Sequence, residues 1–291
     1  MTNTDVLILG AGPAGLTAGL YAVRAGAKTV IIESLAPGGS VNLTPDIENF
    51  PGFIKIGGAE LGTKMLEQTE SAGARVVYDE VEDIDFDKRT VKTAEATYKY
   101  NSLIIATGVS PRKLGLGNEE DFIGNGIHFC GLCDGQFYRG KDIVVVGGGN
   151  HAVEEVIYLS AIAKSVTIIN NTDKFIAQEV LVNKIPAKAK VYHSATVTEI
   201  IADKKITGVK LKDGTKIACD GIFVAIGRVP NTNLFKDKLD LSRDGYLVVN
   251  NEMRTSNASV FAAGDVVQKQ IRQVITACAD GAIAATFATR K

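Results

Sequence analysis

Two glycine-rich turns, each between an apolar run and a helical stretch, limit most strongly what this chain can fold into. The first turn, Gly10-Ala-Gly-Pro-Ala-Gly15, follows the apolar run 5–9, and the second, Gly147-Gly-Gly-Asn-His-Ala152, follows the run 143–146. A helical stretch and another apolar run come after each turn, and that run ends 23 positions after the first glycine in both copies, at Glu33 and at Asn170. This repeat predicts two βαβ units of the dinucleotide-binding kind, and therefore an α/β chain with two Rossmann-like domains.

The three glycines of the first turn have separate physical roles. Gly10 permits the tight turn, Gly12 lets the backbone approach a pyrophosphate, and Gly15 allows the helix to pack closely on the strand. The N-terminus of the helix adds N–H groups and the positive end of its dipole. We therefore expect these glycines to contact a bound dinucleotide.

The residue at the end of the second strand discriminates between nucleotides. Glu33 in the first copy can accept hydrogen bonds from ribose hydroxyls. Asn170 stands there in the second copy, followed by Asn171 and Thr172, so this position has neither a carboxylate for the ribose of NAD nor an arginine for the 2′-phosphate of NADP. His151 also lies on the second turn. The second unit therefore has the pattern of a nicotinamide domain that has lost its recognition residues.

The first domain is predicted to be discontinuous, because its strand pattern resumes late in the chain. Ala106-Thr-Gly108 follows one apolar run, and Val260-Phe-Ala-Ala-Gly-Asp265 has the pattern of a strand that enters a Gly-Asp turn. Asp265 can bond the hydroxyls of a flavin's ribityl chain, and a helix is predicted over 273–289. The predicted domains are residues 1–112 with 243–291 and an inserted domain of residues 113–242, with crossings at 111–115 and 241–245.

Two of the four cysteines lie three positions apart, in Cys130-Gly-Leu-Cys133, and Asp134 follows directly. Thiols at this spacing can close a small ring, and a neighbouring acid can exchange protons with a thiolate. The spacing therefore favours a redox-active pair over a zinc site, which needs about four ligands, or inert packing. A helix cap is the alternative role for Asp134. Cys219 and Cys278 are interpreted as small buried hydrophobic residues.

Composition narrows the function classes further. The net charge is −1, with 45% hydrophobic and 22% charged residues, and no long Lys/Arg run is present. These values argue against a nucleic-acid partner and against a disordered chain. No apolar run approaches a membrane span, so we expect a soluble, cytoplasmic protein without a metal. His128 and His193 are interpreted as structural, and Glu154-Glu155 as a solvated or interdomain face.

The motifs together resemble the low-molecular-weight thioredoxin reductases over essentially the whole chain. The resemblance is carried by Gly10–Gly15, Glu48-Asn-Phe-Pro-Gly52, Ala106–Gly108, Cys130–Asp134, Phe137-Tyr-Arg139, Gly147–Asn150, Ala152-Val-Glu-Glu155, Gly227-Arg-Val-Pro-Asn-Thr232, Gly264-Asp265 and Arg272-Gln273. It implies FAD in the first domain, the dithiol in the second, thioredoxin as the partner, and a homodimer.

The resemblance also implies roles for individual residues. Cys133 would be the thiol beside the flavin, Cys130 the thiol that attacks the partner disulfide, and Asp134 the proton-handling acid. The residues expected to line FAD are Gly10, Gly12, Pro13, Ala14, Gly15, Glu33, Ser34, Gly39, Ser40, Asn49, Val81, Ala106, Thr107, Gly108, Gly264, Asp265, Arg272, Gln273 and Val274.

Several departures point to a particular branch of this family. Where NADPH-using members carry His-Arg-Arg and a further Arg four residues on, this chain reads Asn170-Asn-Thr-Asp-Lys-Phe-Ile176. Ser40 stands in place of a Gln, and Gln136 in place of one of two aromatic residues that receive thioredoxin. These losses resemble the pyridine-nucleotide-independent branch, which includes ferredoxin-dependent flavin thioredoxin reductases. We therefore expect reduced ferredoxin as the donor.

Other functions stay open at this point. NADH or NADPH can still be the donor, because losing a phosphate clamp does not by itself abolish nucleotide binding. A flavin and dithiol can also form a redox sensor that changes shape without turnover, and a small disulfide or a peroxiredoxin-like protein can replace thioredoxin as the substrate.

Overall fold

The computed structural model describes residues 1–44 and 46–290, without the side chain of Leu43, and it divides into two compact units. One unit is Met1–Ser110 with Val229–Lys291, and the other is Pro111–Arg228. The chain therefore leaves the first unit near the predicted position but returns to it earlier than predicted, at 228/229 instead of 242/243.

The early return has a physical reason in the segment 229–242. Phe235 and Leu239 are buried in the same apolar cluster as the strands of the first unit. Leu241 forms a β-bridge with Leu247, so the charged and glycine-containing stretch 241–245 is a turn within the first unit and not a crossing. Its composition resembles an exposed connection because it is an exposed turn.

The described residues contain strands and helices that alternate in the two βαβ units, and runs of consecutive strands elsewhere. The strands are β1 (Thr2–Leu9), β2 (Thr29–Glu33), β3 (Arg75–Tyr78), β4 (Val81–Asp85), β5 (Thr90–Thr93), β6 (Thr97–Ile105), β7 (Val109–Pro111), β8 (Ile127–His128), β9 (Asp142–Val146), β10 (Ser165–Ile169), β11 (Lys190–Tyr192), β12 (Val197–Ala202), β13 (Ile206–Leu211), β14 (Lys216–Ala218), β15 (Gly221–Val224), β16 (Arg228–Pro230) and β17 (Val260–Ala262). The α-helices are α1 (Pro13–Arg24), α2 (Gly58–Ser71), α3 (Gly131–Asp134), α4 (Asn150–Ser160), α5 (Glu179–Val182) and α6 (Val274–Ala288). Short 3-10 helices cover Gly39–Leu43, Glu120–Phe122, Gly135–Tyr138, Asn233–Phe235 and Gly264–Val266.

The first unit is built on a seven-stranded sheet with the order β3-β2-β1-β6-β5-β4, in which β17 also pairs with β6. The strands β1, β2, β3, β6 and β17 are parallel, whereas β4 and β5 are antiparallel additions. Apolar clusters cover both faces of the sheet, and the runs in β1, β2 and β6 are apolar because parallel strands are buried on both sides.

Helices α1 and α6 pack closely on one face of this sheet. Their contact uses small residues, among them Ala14, Ala18 and Ala284, which are all buried. A Cβ on Gly281 of α6 would collide with the carbonyl oxygen of Ala14. This pairing brings the N-terminus of α1 next to the segment that precedes α6.

The second unit repeats the first βαβ pattern. Its five-stranded sheet has the order β11-β10-β9-β15-β8 and is parallel throughout, and a three-stranded antiparallel sheet, β12-β13-β14, is appended to it. Both predicted βαβ units are therefore present, as β1-α1-β2 and β9-α4-β10, and the predicted α/β fold is confirmed. Among the helices of the described residues, none combines the length and the hydropathy of a membrane span.

Candidate functional site

The two cysteines of the CxxC motif form a disulfide bond in the second unit. Cys130 is the N-cap of the short helix α3, and its Sγ accepts a hydrogen bond from Cys133 N at 3.2 Å. The described side chains include no cluster of three or more His, Cys, Asp or Glu arranged to hold a metal ion. The pair is thus placed as the predicted redox pair requires, at the start of a helix whose N–H groups face it.

Asp134, the predicted proton-handling acid, is held by a buried histidine. Its Oδ2 lies 3.0 Å from Nδ1 of His128, and Nε2 of His128 lies 2.9 Å from the hydroxyl of Tyr138. Burial, followed by the charge of Asp134, raises the pKa of Tyr138, so this phenol keeps its proton at neutral pH. The structure shows no side-chain cap bond from Asp134 to the 3-10 helix that follows it.

His128 is a site residue that the sequence reasoning assigned to structure alone. Its ring stacks on Phe223 with centroids 5.4 Å apart, which explains its burial, while its two nitrogens face Asp134 and Tyr138. The only available signal was its position, two residues before Cys130.

Glu155 is a second site residue whose surroundings differ from the prediction. Glu154 is exposed as expected, but Glu155 is buried and its Oε2 accepts a hydrogen bond from Gly131 N at 2.6 Å. Burial raises the pKa of Glu155 to about 7; the bond from Gly131 acts in the opposite direction, and the charges of Glu154 and Asp134 add to the rise. A carboxyl group that changes charge near neutral pH therefore lies behind the dithiol.

The remaining two cysteines differ in burial. Cys219 is buried in the second unit, and burial raises the pKa of its thiol to about 12. Cys278 in α6 is half-buried, less than predicted, and its thiol pKa is also raised by burial. Neither thiol is ionised near neutral pH.

The second glycine turn differs from the first at the position that reads the ribose. Asn170 is fully buried, and its amide nitrogen donates to the carbonyl oxygens of Thr172 and Lys174 at 3.3 and 2.9 Å. Its Oδ1 accepts from the Thr172 hydroxyl at 2.9 Å. The side chain of Asn170 thus stabilises the turn that follows it, and both its amide nitrogen and its amide oxygen form hydrogen bonds within the protein.

In the first turn, by contrast, the corresponding carboxylate faces the glycine motif. Glu33 accepts hydrogen bonds from Ala11 N at 2.7 Å and from Leu35 N at 2.8 Å, which orients it beside the N-terminus of α1. Gly12 caps this helix without a side-chain bond, and Pro13 is its first residue. The carboxylate oxygens retain lone pairs for ribose hydroxyls.

Several predicted FAD residues converge on this helix terminus. Gly10 has φ +100°, and a Cβ there would collide with the carbonyl oxygen of Ala106. A Cβ on Gly39 would lie 3.3 Å from Gly12 Cα, and one on Gly264 would lie 2.8 Å from Ala14 Cβ. These backbones pack against one another only because the side chains are absent, which leaves a cradle of main-chain groups.

The residues before α6 carry buried polar atoms without hydrogen-bond partners. Asp265 Oδ1 and Arg272 Nε are both in this state, and the Arg272 guanidinium stacks over Tyr246 at 4.2 Å. Gln273 accepts a hydrogen bond from Asn49 Nδ2 at 3.2 Å. Orphaned polar atoms of this kind need a partner, and the hydroxyls and ring nitrogens of a flavin supply such partners. The residues present therefore fit FAD.

For the other predicted FAD residues, the structure shows contacts within the protein or only their place along the chain. The Thr107 hydroxyl donates to the carbonyl oxygen of Asn231 at 2.9 Å, and Asn231 Nδ2 donates back to Thr107 O at 2.8 Å. Val81 and Val274 pack on apolar clusters of the first unit. Gly108 follows Thr107, Ser34 follows β2, and Ser40 lies in the 3-10 helix that begins at Gly39. Contact of these residues with FAD remains a prediction.

Comparison with known proteins agrees with this arrangement. The chain matches the pyridine nucleotide-disulphide oxidoreductase family over residues 4–281. A thioredoxin reductase of Listeria monocytogenes is 43% identical over 290 residues, which cover 96% of this chain and 91% of that protein.

Solved structures give the same result. The thioredoxin reductase of Lactococcus lactis is 39% identical with a TM-score of 0.89, covering 98% of this chain and 97% of that one. A ferredoxin-flavin thioredoxin reductase of Clostridium acetobutylicum is 30% identical with a TM-score of 0.56, covering 99% and 98%. The predicted cofactor is confirmed as FAD. The chain belongs to the pyridine nucleotide-disulphide oxidoreductase family, as a flavoprotein with the two-domain fold of thioredoxin reductases.

Proposed function

We propose that this flavoprotein is a thioredoxin-disulfide reductase whose redox dithiol is Cys130 and Cys133. The observation that carries the proposal is the Cys130–Cys133 disulfide at the start of α3, with Asp134 and His128 beside it. The identity to thioredoxin reductases over almost the whole chain supports it. When bound, FAD supplies the electron pair that reduces this disulfide.

The chain's own residues account for the exchange step. The Cys130 thiolate attacks the partner's disulfide, so that the partner's S–S bond breaks while a mixed disulfide forms, and the Cys133 thiolate then displaces the partner as a dithiol. Two electrons pass to the partner, the Cys130–Cys133 disulfide is restored, and Asp134 moves the accompanying protons. Leu132 and Phe137 expose apolar surface near the cysteines, which suits docking of a thioredoxin-type protein.

We further propose that the electron donor is reduced ferredoxin or a similar protein that transfers one electron at a time. Asn170 is engaged by its own turn, as described above, so its side chain is not displayed to a ribose. The exposed Ile176 stands where a phosphate-binding arginine is expected. Lys174 is the one basic residue in 170–176, and its backbone carbonyl is used by Asn170.

An anaerobic absorbance experiment on the FAD-loaded protein tests the donor. NADPH, NADH and reduced ferredoxin are added separately, and bleaching of the flavin band is followed before oxidised thioredoxin is added. We expect bleaching by ferredoxin alone and then reduction of thioredoxin. Rapid bleaching by NADPH or NADH would show that this nucleotide, and not ferredoxin, is the electron donor. Failure of the chemically reduced protein to reduce thioredoxin would overturn the reductase itself and favour a redox sensor.

We also propose that the protein is a cytoplasmic homodimer. Sedimentation of the FAD-loaded protein tests the dimer, and cell fractionation tests the compartment.

A further inference from the structure

A buried carboxylate lies against the backbone between the two cysteines. Glu155 in the second turn of α4 is 7% exposed, and its Oε2 accepts the hydrogen bond from Gly131 N at 2.6 Å. Gly131 is the first residue of α3 and follows Cys130 directly. The exchange step proposed above does not use Glu155, so its position needs a separate explanation.

Glycine at position 131 is what admits this carboxylate. A Cβ built on Gly131 would collide with Glu155 Oε2 and would lie 3.0 Å from Leu159 Cδ1. Leu159 is fully buried, so it has little room to move. Any larger residue at this position would therefore push the carboxylate away from the N–H group.

The N–H group that Glu155 occupies belongs to the first turn of α3. Free N–H groups in a first helical turn stabilise a thiolate at the helix N-terminus. The N-cap atom here is Cys130 Sγ, which accepts from Cys133 N in the disulfide state. Glu155 instead accepts from the first N–H of the turn, that of Gly131, and it adds a negative charge next to Cys130 when it is ionised. This charge opposes ionisation of a neighbouring thiol.

The charge on Glu155 changes near neutral pH. Its pKa is raised to about 7, chiefly by burial. The titratable groups that face it are Asp134 from α3 and Glu154 and His151 from α4. Nε2 of His151 lies 3.6 Å from Glu155 Oε1, and the charge of Arg228 acts on His151.

We propose that Glu155 is a positioning residue for the dithiol: it holds the turn between the cysteines through Gly131 N–H, and its carboxylate restrains ionisation of the Cys130 thiol. This inference rests on the proposed dithiol function, because it concerns the reduced pair. It predicts that the reactivity of Cys130 depends on pH through a second group as well as through the thiol itself.

The experiment measures the alkylation rate of Cys130 in the reduced, FAD-loaded protein from pH 5.5 to pH 9, resolved by peptide mass spectrometry. Glu155→Gln retains the size and the hydrogen-bond acceptor but removes the charge. We expect the ratio of the variant rate to the native rate to be close to one at pH 5.5 and to rise to about threefold or more at pH 8. A purely structural role would shift the rate equally at all pH values.

Two further variants complete the test. Glu199→Gln removes a charge from an exposed carboxylate of the same unit that pairs with Lys210, and its rate ratio should stay near one throughout. Gly131→Ala displaces the carboxylate without removing it, so its rate at pH 8 should also exceed the native rate, which keeps the proposal testable if Glu155→Gln does not fold. A flat ratio for Glu155→Gln, or for Gly131→Ala in its place, would overturn the proposal.

The assay separates this inference from the proposed function, because alkylation needs neither thioredoxin nor the physiological donor. If the ratio of the Glu155→Gln rate to the native rate depends on pH but the protein does not reduce thioredoxin, the inference about Glu155 is supported and the proposed function is wrong. A Cys130 that stays unreactive after reduction at every pH would overturn both.

Discussion

The imidazole of His128 and the carboxylate of Asp134 lie 3.0 Å apart, measured from Nδ1 to Oδ2, behind the Cys130–Cys133 disulfide. The other imidazole nitrogen lies 2.9 Å from the Tyr138 hydroxyl. A histidine held between a phenol and a carboxylate fixes the direction of that carboxylate. The carboxylate of Asp134, the proposed proton-handling acid, is therefore oriented from inside the second unit.

Replacing His128 by alanine should slow reduction of thioredoxin by about tenfold or more, because Asp134 loses the group that orients it and general acid–base catalysis depends on that orientation. The measurement is the single-turnover rate of thioredoxin reduction by chemically reduced protein, over a range of pH. His193→Ala is the matched control, since His193 lies in the same unit and its ring contacts Phe175 and Asn170. Equal rates for the two variants would contradict a role for His128 in the exchange.

Replacing Cys130 by serine should abolish thioredoxin reduction while the protein stays yellow, because the thiol that attacks the partner is lost and the FAD cradle lies in the other unit. Cys133→Ser should instead trap thioredoxin in a mixed disulfide with Cys130, detectable on a non-reducing gel. Cys219→Ala is the control and should retain turnover, since its buried thiol, with a pKa raised to about 12, is not a nucleophile at neutral pH. A trapped complex in Cys130→Ser would reverse the order of the two thiols.

Stability should fall as the pH rises through the titration of Glu155. The pKa of this carboxyl is raised from 4.5 to about 7 in the folded protein, so the folded state favours the protonated form. Its stabilising contribution is complete below the unfolded pKa and is lost as the pH rises through the folded pKa. Glu155→Gln should therefore gain about 2 kcal/mol over the native protein between pH 5 and pH 8 in the free energy of unfolding, measured with urea. An equal difference at the two pH values would show that the carboxyl does not titrate in this interval.

Replacing two glycines of the first turn by alanine should change the stability of the protein to very different extents. A Cβ on Gly15 would collide with the carbonyl oxygen of Gly10, whereas a Cβ on Gly12 would have no heavy atom of the described residues within 4 Å. Gly15→Ala should cost about 3 kcal/mol or more in unfolding free energy, because backbone cannot yield as a side chain does. Gly12→Ala should leave the stability of the apoprotein within about 0.5 kcal/mol.

Gly12→Ala should affect cofactor binding although it leaves the stability almost unchanged. Gly12→Ala should weaken FAD binding by about tenfold or more, because its methyl group occupies the space through which the pyrophosphate approaches the backbone. Titration of the apoprotein with FAD measures this loss. Unchanged FAD affinity would place the pyrophosphate elsewhere.

Local patterns predicted most of the architecture. The strand, turn, helix and strand of each βαβ unit lie within a single short segment, 2–33 in the first unit and 142–169 in the second, so the turns that begin at Gly10 and Gly147 indicate both units. The spacing of Cys130 and Cys133 likewise indicated the redox pair, because both cysteines belong to one turn. These features need no knowledge of what packs against them.

Features that depend on contacts between distant segments were not predictable in this way. Glu155 has the pattern of an exposed helix position, and its burial follows only from the arrival of Gly131 beside α4. The boundary near residue 228 was missed for the same reason, because Phe235 and Leu239 reveal their place only through the cluster that they enter.

The pairing of β17 with β6 affects the order in which the protein can fold during synthesis. Strand β6 pairs with β17, which is synthesised more than 150 residues later. Helix α6, which packs on α1, is synthesised later still. The second unit is one continuous segment and can fold as soon as it has been made. The unit that carries the dithiol can therefore be complete during synthesis, while the first unit stays incomplete until α6 has been translated.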